Sequence, residues 1–178
     1  MAVAPGEVVF DVALGCHILA GLTGVASGAT AALAAKRPGR HPRAGRVYLW
    51  AMAVVFVTAT TMSLLRLARN WHLLLIALVA AGLAGAGYLA RRRRRPGWLR
   101  AHMLAMGGSY IALLTGFYVD NGPNLPLWNR LPPVAFWFLP SVVGVPLLRR
   151  ALARRHLRLL SGARSGPTGS GGRPGRPA

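Results

Sequence analysis

Four long apolar stretches and one shorter one alternate along this chain with brief polar connections. From about Val8 to Ala35 no lysine or arginine interrupts the first run, which ends at KRPGRHPRAGR, where Pro38, Gly39 and Gly45 are helix breakers. A second run spans about Val47 to Leu65, and RLARNW links it tightly to a third from His72 to Ala90. A fourth, His102 to Val119, ends at DNGPNLPLWNR, whose Asn121-Gly122 and prolines spell a loop. About 20 apolar residues in a helix cross a hydrocarbon core of about 30 Å, so each run is predicted to be one crossing. The last stretch, PPVAFWFLPSVVGVPLL, contains Pro140 and Pro146. It is predicted to be a kinked fifth helix, because neighbouring helices can satisfy the carbonyls that proline frees; a re-entrant or interfacial segment is the alternative.

The expected fold is an all-α, polytopic integral membrane bundle of five helices over residues 1–148. Residues 149–178 form a basic tail that ends in SGARSGPTGSGGRPGRPA, a composition that predicts disorder. Composition agrees: 53% of the residues are hydrophobic and only 14% charged, with a mean hydropathy of +0.41. The net charge of +19 would suit a nucleic-acid binder if it coated a polar globule. Here the basic residues only punctuate apolar segments, so no nucleic-acid partner is expected.

Five crossings make the connections alternate between two sides. One side collects Lys36, Arg37, Arg40, Arg43 and Arg46, then Arg91 to Arg95 with Arg100, then eight arginines from Arg149 to Arg176, which is 19 basic residues. The other holds three, Arg66, Arg69 and Arg130, together with all the acids, Glu7, Asp11 and Asp120. The positive-inside rule then predicts the N-terminus outside and the C-terminus in the cytoplasm of a cell-membrane protein, with anionic lipid headgroups as partners of the basic side. Trp50, Trp71, Trp98 and Trp128 fall at the predicted interfaces, where an amphipathic ring is favoured. The N-terminus lacks the basic region of a signal peptide and carries Glu7 and Asp11 instead, so the first segment is expected to remain. Cys16 stands alone and forms no intramolecular disulfide.

Ala20, Gly24, Gly28 and Ala32 recur every fourth residue and share a helix face, with Ala81 and Gly85 in the third run and Gly107, Gly108 and Gly116 in the fourth. Small faces let helices approach closely, and packing within one chain is the expectation, with a homo-oligomer as the alternative.

Ionisable residues inside a membrane are functional candidates. His17 lies inside the first run and His72 starts the third on the same side. His41, expected in a loop, and His102 lie on the cytoplasmic side. Two histidine pairs at two depths, His17 with His72 and His41 with His102, are the arrangement in which imidazoles ligate two b-type haems; interfacial or hydrogen-bonded histidine is the plainer reading. In the fourth run His102, Met106, Ser109, Leu113, Gly116 and Asp120 share a face. That face could line a proton or substrate path, or pack with Ser109 bonded to its own helix. Near the outer end Asp120, Asp11, Arg66 and Arg69 are placed to pair across helices. With three acids, no GxSxG setting, no HExxH or CxxC and no phosphate-cradling loop, no catalytic residue and no metal site are assigned.

The segment HILAGLTGVASGATAALAAKRPGRHPRAGRVYLWAM resembles the predicted membrane proteins classed as domain of unknown function 2306. His17, Gly21, Gly28, His41, Gly45, Arg46, Val47, Tyr48 and Met52 match its pattern, and HMLAMGGSYIALLTGFYVDNGPNLPLW adds His102, Ser109, Tyr110 and Asp120. The likeness covers roughly residues 14–146, and Pro42 departs from it where the pattern has arginine. It implies a multi-helix bacterial-type membrane protein of unassigned activity, with the histidines as a site.

Overall fold

The computed structural model describes residues 5–35, 39–126 and 128–164, with side chains except at 69 and 155–164. It consists of helices α1 (Pro5–Leu33), α2 (Arg40–Leu65), α3 (Leu67–Arg93), α4 (Trp98–Asn121) and α5 (Ala135–Arg164). Two single 3-10 turns, Gly122–Asn124 and Trp128–Arg130, join α4 to α5. The described residues contain no strand. Five helices are long and apolar enough to cross a membrane.

Several helices begin before the apolar runs do. Helix α2 starts at Arg40 rather than Val47, so His41 stands in its first turn and not in a loop. Gly39, at φ 119°, turns the chain into that helix in a conformation that L side chains rarely adopt. Helix α3 starts at Leu67, with a single residue between it and the end of α2, because only Arg66 leaves helical geometry. Its carbonyl accepts from the Asn70 N–H and its own N–H donates to Met62, so the break costs few backbone bonds. Helix α5 runs through Pro140 and Pro146 and continues past Leu148 to Arg164. The first part of the basic segment expected as tail is therefore helical, and residues 165–178 lie outside the described residues.

The packing is antiparallel between successive helices. At one end of the α1–α2 hairpin His17 meets Thr58, and at the other His41 meets Ala31. In the α3–α4 hairpin Ile76 faces Gly116 and Met106 faces Gly87, and α5 lies along α4 with Gly144 on Ile111 and Phe136 on Gly122. Helices α2 and α4 therefore run parallel. The core between them is Tyr48, Met52, Val55, Ala80, Ala84 and Leu113.

The four-residue stripe of α1 packs inside the chain as its spacing suggests, Gly24 on Leu113 and Ala51, and Gly28 on Tyr110 and Tyr48. The third run differs. Gly85 has open space beside it, and the close approach is made by Gly87, where an added Cβ would stand 2.7 Å from the Met106 sulfur.

Candidate functional site

The polar side chains inside the bundle are arranged on three levels. At the basic end, His41 in the first turn of α2 donates through Nδ1 to the Ala31 carbonyl at 2.8 Å, and His102 near the start of α4 donates through Nδ1 to the Gly87 carbonyl, also at 2.8 Å. Each imidazole thus ties the start of an even-numbered helix to the end of the preceding one. Ala31 lies in the last turn of α1, so the His41 bond fastens that end of the helix to the start of α2. Trp98 packs near His102, ring centres 6.5 Å apart.

Two helical turns further along lies the middle level. Tyr48 follows His41 by seven residues and Ser109 follows His102 by seven. Because α2 and α4 are parallel, equal spacing brings these two side chains to one height, where the Tyr48 hydroxyl and Ser109 Oγ hydrogen-bond at 2.7 Å. Both residues are buried, Ser109 completely. Beside them Tyr110 lies 6.3 Å from Tyr48, centre to centre, and its hydroxyl donates to the Val25 carbonyl at 3.1 Å. To reach that carbonyl the Tyr110 ring crosses α1 at Gly28, where a Cβ would stand 2.6 Å from it. The partner of Ser109 is thus a tyrosine of another helix, and neither an open path nor a carbonyl of its own helix.

At the far end His17 Nδ1 meets Thr58 Oγ1 at 2.9 Å, and Thr58 Oγ1 in turn donates to the Val54 carbonyl at 2.8 Å. With its proton committed to Val54, the threonine oxygen accepts from the imidazole N–H. His72 packs against Trp71 edge-on and against Trp137 of α5, ring centres 5.9 and 6.2 Å away. Arg66 stacks its guanidinium 3.8 Å above the Phe10 ring, a cation–π contact in place of the expected pairing with an acid. Asp120 is exposed, and the Arg69 side chain lies outside the described residues.

The histidines therefore stand at two ends of the bundle, as expected, and these contacts join each of them to a helix other than that of its paired histidine. The space between α2 and α4 above the His41–His102 level is closed by the Tyr48–Ser109 bond and the packed core. Among the described residues no three His, Cys, Asp or Glu side chains converge to hold a metal ion. In the sequence Tyr48 and Tyr110 stand out only as positions of a resemblance, with no role attached, and Thr58 does not stand out at all. Only the shared seven-residue interval from a histidine could have paired Tyr48 with Ser109, and that interval has meaning only once α2 and α4 are known to be parallel neighbours. Gly28, His41, Tyr48, Met52, His102, Ser109 and Tyr110 all meet in these contacts or in the core. Comparison of the chain with protein-family models, with curated proteins and with solved structures gives no match.

Proposed function

We propose that the chain is an integral protein of the cell membrane with five crossings, N-terminus outside and C-terminus in the cytoplasm, whose basic end works against anionic lipid headgroups. One observation carries this reading: charge is separated between the two ends of an antiparallel bundle. Arg40, Arg43, Arg46, Arg91 to Arg95, Arg100, Arg149, Arg150 and Arg154 lie toward the end where α1 and α3 finish and α2 and α4 begin. Glu7, Asp11 and Asp120, the only acids of the chain, lie toward the other. Basic residues flanking crossings are retained on the cytoplasmic side, which gives the orientation. No enzymatic activity is proposed, and the resemblance to the family of unknown function supports the same reading.

Single-cysteine variants in a Cys16→Ser background test the orientation in whole cells with a membrane-impermeant maleimide. Gly6→Cys is expected to label at once and Pro96→Cys only after permeabilisation; the reverse pattern overturns the proposal.

A histidine-ligated haem is the second reading, and the Nδ1 bond of His102 to the Gly87 carbonyl favours it. Histidines that ligate a metal commonly donate their other ring nitrogen to a carbonyl in this way, which fixes ring orientation and tautomer. A reduced-minus-oxidised spectrum of purified protein from haem-supplied cells decides it. A Soret and α-band signal lost on His102→Ala supports the haem, and a flat spectrum from intact protein removes it.

A further inference from the structure

At the basic end, the turn from α3 into α4 forms a cleft of about 370 Å³ lined by Ala86, Leu89, Ala90, Arg93, Arg95, Pro96, Trp98 and Ala101. Its chemistry is graded. Ala86, Leu89, Ala90 and Arg93 follow helical three- and four-residue spacing, so α3 presents one apolar stripe that ends in a guanidinium. The backbone then reverses through left-handed residues, Arg94 at φ 47° and Gly97 at φ 77°, which returns Arg95 and Trp98 to the same cleft. An arginine in that conformation is strained, and a strained turn is retained where the surrounding structure depends on it.

We propose that this cleft binds one anionic phospholipid of the adjoining leaflet: the phosphodiester between Arg93 and Arg95, the glycerol region beside Trp98, and an acyl chain along Leu89 and Ala86. Guanidinium groups take phosphate oxygens bidentately, which a point charge does not. Indole rings favour the level of the glycerol and carbonyl groups. The charge at this end finds no acidic side chain to answer it, since all three acids belong to the opposite end. The occupant must therefore be an external anion, and the apolar wall below the arginines requires that it carry hydrocarbon. The proposal rests on the orientation reading above and sharpens its diffuse lipid contact into a site.

Two double variants of equal charge separate a site from a general attraction. The full chain is purified in mild detergent, and retention of phosphatidylglycerol against phosphatidylcholine is measured by native mass spectrometry. Arg93→Gln with Arg95→Gln is expected to weaken phosphatidylglycerol binding at least roughly tenfold, while Arg91→Gln with Arg94→Gln changes it by less than about twofold. Ala101→Leu, which fills the cleft without touching charge, is expected to weaken it too, and keeps the test valid if the arginine variant fails to fold. Equal losses from the two double variants would overturn the site and leave the orientation standing. A native protein that prefers neither lipid would overturn both the site and the lipid contact. Displacement of the lipid by millimolar inorganic phosphate would show that the phosphate alone is read, which also sinks the proposal.

Discussion

Tyr48 and Ser109 join α2 to α4 through a buried hydrogen bond between side chains. Their value lies in mutual dependence: truncating either leaves a hydroxyl, or the space of one, in a core without water to take its place. Tyr48→Phe is expected to lower stability by about 1 kcal/mol, and Ser109→Ala by a similar amount. The double variant should cost less than both together, because the second substitution removes a group already left unpaired. Reversible unfolding in mixed micelles measures all three, and additive losses would show that the bond contributes nothing. Tyr110, beside them, bonds to a backbone carbonyl, so its loss would not register in that cycle.

At the scale of the helices, the glycines divide by what lies above them. Gly28 holds the crossing of the Tyr110 ring over α1, whereas Gly21 has open space. Alanine is the better helix former by about 1 kcal/mol, and only contact reverses that preference. Gly28→Ala is therefore expected to destabilise by about 1–3 kcal/mol, since both tyrosines must shift within a packed core. Gly21→Ala is expected to be neutral or mildly stabilising, and a thermal melt in detergent distinguishes the two signs. Spacing reveals the α1 stripe because a four-residue repeat implies a common face whatever the neighbour. It fails at α3, where Gly85 and Gly87 look equivalent along the chain and only Met106 of the facing helix selects Gly87.

At the scale of the whole molecule, the proposed orientation rests on a sum and not on any one cluster. Of the 22 basic residues, the five from Arg91 to Arg95 form the densest group, yet replacing them with glutamine leaves 14 on the basic side against three on the other. The inserted orientation is thus expected to be unchanged when the cysteine labelling is repeated on that variant, and inversion would make the run itself the determinant. Its loss should be felt instead at the α3–α4 cleft.

The number of helices, their apolar character and the segregation of charge were legible in the sequence, because crossing length and the partition of charge are properties of a segment and need no neighbour. The starts of α2 and α3 were not, since arginine and histidine interrupt hydropathy without interrupting the backbone's hydrogen bonds. The candidate histidines were legible as residues but not as contacts. An imidazole placed in a helix says nothing of whether a carbonyl, a hydroxyl or another imidazole faces it; the tertiary packing decided that, the antiparallel hairpins giving His41 and His102 the ends of the preceding helices and His17 a threonine, and α5 giving His72 the ring of Trp137. The pairing of Tyr48 with Ser109 belonged wholly to the tertiary structure. Residues 61 positions apart meet only when two parallel helices, separated by a third, are packed side by side at one height.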